Sequence, residues 1–228
     1  MPRTSNLHPS FRHAAGLVCL GVLLLGGCVL GRGPEAQRIA VADTPSAAVQ
    51  DGPQLAFQLE IGEPEVLALL DDARILVRDP EGRYARLAGA RLPDRAPRWL
   101  QTVLLDAVAR WPFAAVTLPG SGVRSDLRLQ TYLQELQLDY RGRPEARVAL
   151  HAMLVEGRTG RVLARQAFAQ AGDVGGQGRA AAVDALADAA TRLAEELARW
   201  AAESAREVAV EAPQAEPVKA EGSDGRSG

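Results

Sequence analysis

The sequence is short of the residues on which most enzyme chemistry is built. Its 228 residues include three histidines, two cysteines and two methionines, and aromatic side chains make up only 4%. No G-x-x-x-x-G-K-[ST] stretch occurs, so the chain carries no ATPase phosphate loop of its own. No G-x-S-x-G occurs either, which removes the nucleophile elbow of a serine hydrolase. Lysine is nearly absent: Lys219 is the sole one, and every other basic side chain of the Lys/Arg type is arginine. With 26 Lys+Arg against 28 Asp+Glu the formal charge is −2, so no basic excess points to nucleic acid or to an anionic lipid surface. The apolar run from Ala14 to Leu25 is shorter than the roughly 20 residues that a membrane-spanning helix needs.

That short run does have the flanks of a secretory signal. Arg3 and Arg12 precede it with no acidic residue, and small residues close it. Its end, Leu25-Gly26-Gly27-Cys28, resembles the lipobox of bacterial lipoprotein signal peptides, where a Leu stands three places before the Cys and two small residues lie between. The resemblance implies cleavage just ahead of Cys28, removal of residues 1–27, and lipid on the new N-terminal cysteine. An anchor that is never cleaved would not account for two glycines directly before a cysteine.

Cysteine arithmetic agrees. Cys19 lies inside the run and leaves with it, so Cys28 would be the only cysteine of the mature chain, with no intramolecular disulfide partner. A lone thiol at an N-terminal tip serves neither a cysteine metal site nor a catalytic dyad inside a fold. Loss of Arg3 and Arg12 takes Lys+Arg from 26 to 24 against 28 Asp+Glu, a formal charge of −4.

Residues 28–52 mix Gly, Pro and small polar residues without apolar periodicity and read as a lipidated linker, either coil throughout or with a short strand at Gln37 to Val41. As a flexible coil such a linker holds a domain about 25–30 Å from the lipid. From Leu55 the texture changes. Leu55, Phe57, Leu59 and Ile61 share one face of a strand that Glu63-Pro64 ends. Arg74–Arg78 and Arg83–Leu87 form a hairpin around Asp79-Pro80-Glu81-Gly82, in which Pro presets the turn and Gly supplies positive φ.

A first helix enters at Pro97 with Asp94 as its cap, carries Leu100, Val103, Leu104, Ala107, Val108 and Trp111 as one apolar stripe, and stops at Pro112. Trp99 and Trp111 near its ends raise membrane contact as an alternative, but the opposite face is not basic, and the stripe reads as core. Phe113 to Leu118 reads as a buried strand.

Asp126 to Tyr140 then alternates with a fault: Leu127, Leu129 and Leu133 have one parity, Leu136, Leu138 and Tyr140 the other. A period of two cannot change phase by itself, so a bulge or bend is predicted near Gln134-Glu135. Turns at Arg141–Pro144 and Glu156–Gly160 are too short for parallel crossovers, so Asp126–Tyr140, Ala146–Val155 and Val162–Ala169 form an antiparallel meander. A long helix from about Gln177 to Ala205 follows, with Val183, Leu186, Ala190, Leu193, Leu197 and Trp200 on the core side and the pairs Asp188–Arg192 and Glu195–Arg199 outside. Packing on the sheet accounts for this seam better than a coiled coil, since it spans under three heptads. The division expected is signal 1–27, linker 28–52, domain 53–205 and a disordered acidic tail 206–228. The fold class expected is α+β: a two-layer sandwich in which two main helices pack on a mixed, mostly antiparallel sheet.

The domain offers little for catalysis or for a metal. His8 and His13 leave with the signal and His151 stands alone, on the parity opposite the Val148–Leu154 face, so no His-rich metal set can be assembled and only one base is left for a triad. Gly176-Gln177-Gly178-Arg179-Ala180-Ala181 fits a loose G-x-G-x-x-A before a helix, but a dinucleotide site needs a parallel strand after that helix. The glycines therefore read as a loop and helix start. Asp71-Asp72 reads as a solvated turn rather than an acid–base or metal pair.

The lipobox, the segment ending at Leu69-Leu70-Asp71-Asp72, the strand Arg74-Ile75-Leu76-Val77-Arg78, the helix beginning Arg98-Trp99-Leu100, the meander and the long last helix together resemble the ABC-type transport auxiliary lipoprotein family. The family includes the paraquat-inducible auxiliary lipoprotein. The likeness covers about residues 28–205 as order and spacing of elements. Before Leu55 the chain departs from it, because Gln37 to Val41 lacks the aromatics of the family's first strand.

The resemblance implies a non-enzymatic periplasmic component, without cofactor, of a system moving lipid or another hydrophobic substrate. Its partners would be an ABC transporter and an MCE-domain protein, with self-association into a homo-oligomer and no nucleic acid. Val29, rather than Asp, follows the cysteine, which implies sorting to the outer membrane. Two rival classes are a generic structural or assembly lipoprotein of the envelope, and an envelope hydrolase using His151.

Overall fold

The structure, a computed structural model, describes residues 37–38, 50, 52–176 and 178–211. Among these residues run β1 (Gln37–Arg38), β2 (Leu55–Ile61), β3 (Glu65–Val66), β4 (Arg74–Arg78), β5 (Tyr84–Arg91), α1 (Ala96–Val108), β6 (Phe113–Thr117), β7 (Leu127–Asp139), β8 (Glu145–Glu156), β9 (Val162–Asp173) and α2 (Arg179–Glu211). The class is α+β, with one mixed sheet and both helices packed together against it.

β7 is the strand on which the sheet is assembled. Along one edge it takes β2, β3 and β4 in succession, all parallel: Leu59 faces Leu127, Glu65 faces Tyr132, and Leu76 faces Gln137. Along the other edge it pairs antiparallel with β8 from Leu127↔Glu156 to Asp139↔Glu145, and β8 pairs with β9 in the same sense. β6 lies outside β2, while β5 and then β1 lie outside β4. The meander supplies the longest ladders, and there the register is set by the apolar parity: Leu127, Leu129, Leu133, Val148, Leu150, Leu154 and Phe168 are all buried on one face.

The phase fault in β7 is a bulge. Leu133 faces Leu150 and Glu135 faces Ala149, so Gln134 has no partner, and the parity flips to keep Leu136 and Leu138 inside. A second irregularity falls in β9, where Ala164 faces Leu154 and Val162 faces Val155, leaving Leu163 unpaired.

α2 lies along β9, β8 and α1. Its buried stripe is broader than the leucine seam alone: Leu186, Leu193 and Leu197 are joined by Ala189, Ala190, Ala194, Ala198, Ala201, Ala202 and Ala205, all fully buried. Full burial of each such leucine is worth about 1.5–3 kcal/mol, and the alanines let the helix backbone approach the sheet closely. Trp200 meets Phe168 of β9 edge-on, with ring centroids 5.6 Å apart. The tryptophans near the ends of α1 turn inward as the core reading requires: Trp99 is buried, and Trp111 is half-buried with the Arg206 guanidinium 5.7 Å over its ring.

Several local expectations need correction. Asp94 does not cap α1: its carboxylate accepts the Arg95 N–H at 2.7 Å, Arg95 is the N-cap residue, and the Ala96 N–H goes to the carbonyl of Asp72 at 3.0 Å. β6 is an edge strand and mostly half-buried, with only Phe113 buried, because among the described residues nothing pairs beyond it. β5 runs on to Arg91 through a wide irregularity, Arg74 facing Arg91 and Leu76 facing Arg86, which Gly89 permits by adopting φ +70°.

The outer-face pairs of α2 are not formed. Arg192 reaches the carbonyl of Ala171 on β9 at 3.3 Å, and Glu195 pairs with Arg110 at 3.4 Å instead. The helix also continues six residues past Ala205 to Glu211, since no breaker precedes Pro213. Of the strand at Gln37 to Val41, Gln37–Arg38 is present and pairs parallel with Ala90 and Arg91; residues 39–41 lie outside the described residues.

Candidate functional site

Alternation along the meander sends every second side chain away from the helices, and the result is an open sheet face. Tyr132 of β7 stands across from His151 of β8, which stands across from Ala167 of β9; the next row is Gln130, Met153 and Arg165. Tyr132 and Met153 are 37% and 39% exposed, large for apolar side chains on a strand, while Ala167 and Ala169 keep the β9 end of the face low. Such a surface sets these side chains in rows along the strands rather than around a common centre.

His151 is exposed on this face, as its parity requires. Its cross-strand neighbours are Tyr132 and Ala167, so neither offers the carboxylate that orients a catalytic imidazole.

The Asp71-Asp72 pair is not a free turn but part of an ion-pair cluster. Asp72 receives Arg74 through Nη2 at 2.6 Å and Nε at 2.9 Å, with Arg86 Nη2 at 3.7 Å. The Arg74 hydrogen bonds hold the Asp72 carboxyl down at about 2. Asp71 pairs with Arg95, whose other Nη is 2.7 Å from Glu63. Arg86 also donates to the carbonyls of Arg74 at 3.0 Å and Leu69 at 2.7 Å. The cluster thus ties the connection before β4 to β5 and to the start of α1. Its carboxylates are committed to arginines, and among the described residues no group of three or more His, Cys, Asp or Glu is placed to hold a metal ion.

At the glycine loop, Gly178 takes φ +97° and α2 starts at Arg179. The strand before the loop, β9, is antiparallel to its neighbour, and no strand follows α2 among the described residues. The parallel βαβ unit of a dinucleotide site is therefore absent there.

Leu25, Gly26, Gly27 and Cys28 lie outside the described residues. No helix among the described residues is long and apolar enough to cross a membrane. What sequence reasoning did not single out is the open face with Tyr132 and Met153. Its signal was present in the parity of the meander, whose leucines fix one face and so name the other.

Among solved structures, the chain is similar to protein XCC0632 of Xanthomonas campestris, at 26% identity over 69% of this chain and 91% of that one, with a TM-score of 0.64. A second, uncharacterised protein shares the fold at 14% identity, 65% and 94% coverage and a TM-score of 0.53. No curated protein matches the chain. The model of the ABC-type transport auxiliary lipoprotein component family matches residues 40–198, from the linker to within α2. With its meander, its helices and that match together, the chain belongs to the family of ABC-type transport auxiliary lipoprotein components, proteins of the cell envelope.

Proposed function

We propose that this chain is a lipid-anchored, non-enzymatic auxiliary component of an ABC/MCE-type system that moves lipid or another hydrophobic substrate between membranes, and that it works at the periplasmic face of the outer membrane. The observation that carries the reading is the family match over residues 40–198 directly downstream of Leu25-Gly26-Gly27-Cys28. Residues 1–27 act as the signal, Cys28 carries the lipid, residues 28–52 form the tether and the domain begins near residue 53. Several acyl chains on Cys28 give a stable anchor, because at about 0.8 kcal/mol per buried CH₂ one chain alone is marginal. Val29 in place of Asp supports the outer-membrane address.

The open face bearing Tyr132, His151 and Met153 is the surface offered to the MCE-domain protein or the transporter. Among the described residues β9 pairs only with β8, and the strand edge left there supports self-association. Fractionation of envelopes tests the anchor: Cys28→Ser should leave a soluble or uncleaved protein, and a variant that still sediments with the outer membrane refutes the lipoprotein reading. Capture from solubilised envelopes tests the role. Recovery of an MCE-domain protein and an ABC transporter supports it, whereas their absence under conditions that preserve such complexes leaves a generic envelope lipoprotein.

A further inference from the structure

At the end of the sheet remote from the Asp139–Glu145 turn, the start of β7, the β8–β9 turn and the last turns of α2 enclose a cleft of about 360 Å³. Its floor is apolar, made by Phe57, Leu127, Leu163 and Val208. Leu163 is the unpaired residue of the β9 irregularity, and bulges commonly re-aim a side chain in this way. The mouth is cationic, lined by Arg124, Arg158 and Arg161.

Two carboxylates share the lining with the three arginines, leaving an excess of one positive charge. Asp126 accepts the Gln58 N–H at 2.9 Å, and Glu156 accepts the Thr159 hydroxyl and lies 3.7 Å from Arg161. Among the described residues, Arg124 and Arg158 have no carboxylate within ion-pair distance. Gly157 clamps the two turns that carry them: its N–H donates to the Asp126 carbonyl at 2.7 Å, and a Cβ on it would lie 2.2 Å from the carbonyl oxygen of Ser125.

We propose that this cleft binds an anionic amphiphile, the guanidinium groups of Arg124 and Arg158 taking a phosphate-bearing head group and the Phe57–Leu163–Val208 floor taking the start of an acyl chain. Guanidinium forks match phosphate oxygens, and two such groups with no carboxylate at ion-pair distance among the described residues are where an outside anion gains most. A bare anion would leave the floor in water, so the apolar floor favours an amphiphile over free phosphate. The volume lies at the lower end of the roughly 300–1,000 Å³ typical of ligand sites, room for one head group and part of one chain. The net negative charge of the chain does not oppose this, since the arginines are gathered at one mouth. The proposal goes beyond the transport reading and stands without it, because it rests on the cleft alone.

The test uses the protein as purified from envelope membranes in a nonionic detergent, titrated calorimetrically with dihexanoyl-phosphatidylglycerol, dihexanoyl-phosphatidylcholine and inorganic phosphate. Saturable binding of phosphatidylglycerol, weakened roughly tenfold or more in the Arg124→Gln/Arg158→Gln double variant and less in Val208→Gln, is the expected result. Both arginines are exposed, so the double variant should melt with the parent and keep the readout interpretable. Phosphate binding as tightly as phosphatidylglycerol overturns the amphiphile in favour of a bare-anion site. Equal binding of phosphatidylcholine, equal binding by the double variant, or no binding by the parent overturns the proposal outright.

Discussion

Leu133 and Glu135 of β7 face Leu150 and Ala149, consecutive residues of β8, and Gln134 between them faces nothing. That one unpaired residue sets the side of the sheet on which the last part of β7 lies. Before it Leu127, Leu129 and Leu133 point to the helices; after it Leu136 and Leu138 do, with the opposite parity. β4 pairs with β7 beyond the bulge and β2 before it, so both strands depend on the two phases being joined correctly.

Deleting Gln134 should therefore be tolerated. Removal of the one unpaired residue leaves Leu133, Glu135 and Leu136 facing Leu150, Ala149 and Val148 in an unbroken period of two, with Leu136 and Leu138 still on the helix side. Deleting Gln134 and Glu135 together instead sets Leu136 next to Leu133 and turns Leu136 and Leu138 outward, at about 1.5–3 kcal/mol each in lost burial. Against a total stability of about 5–15 kcal/mol, the double deletion should lose most or all of its cooperative transition while the single deletion keeps one. Gln134→Ala, on an exposed side chain, should stay within about 0.5 kcal/mol of the parent. Circular dichroism melts separate the variants, and equal transitions in the single and double deletions would show that the bulge does not set the parity.

Much of this was open to sequence reading because it is local. Hairpin, meander, bulge and both helices follow from parity, turn residues and the 3.6 period. The parallel pairing of β2, β3 and β4 along one edge of β7 was not, because partners as distant as Leu59 and Leu127 leave no mark within a sequence window. β3, two residues long and directly after Glu63-Pro64, is too short for a periodic signal. The arginine partners were also hidden. Arg192 and Arg110 are used across elements rather than along one helix, and the cleft draws on residues from Phe57 to Val208.

Acid should weaken the fold through two carboxylates. Asp139, buried at the end of β7, accepts Arg141 Nη2 at 2.5 Å and the Arg141 backbone N–H at 3.0 Å; its side-chain bonds to Arg141 hold the carboxyl at about 2, below the ordinary 3.8. Asp72 is lowered likewise, first by its hydrogen bond to Arg74. Between these values the unfolded chain binds more protons than the folded one, so their contribution is complete above 3.8 and is lost as pH falls through about 2. Melting temperature should fall over that window. Asp139→Asn should be less stable at neutral pH and show a shallower acid slope, and an unchanged slope would remove Asp139 from the account.

Gly157→Ala should cost about 1–3 kcal/mol as an overpacking change, because the new Cβ meets the backbone oxygen of Ser125 rather than a side chain that can swing away. Denaturant melts give the magnitude. The cost should appear as a lower midpoint with an unchanged slope, since one turn shifts and the sheet remains.

The open face separates a docking role from a catalytic one. Ala167→Arg places a long cation beside His151 on a face with no packing to disturb, so stability should change by less than about 0.5 kcal/mol while capture of envelope partners is lost. His151→Ala removes the one imidazole of the domain but only a small part of that surface, so a docking protein should tolerate it in a complementation assay. A hydrolase that used His151 as its base would show the reverse order, His151→Ala abolishing function at full stability and Ala167→Arg sparing it. Running both variants through the same capture and complementation assays decides between them, because each reading predicts a different survivor.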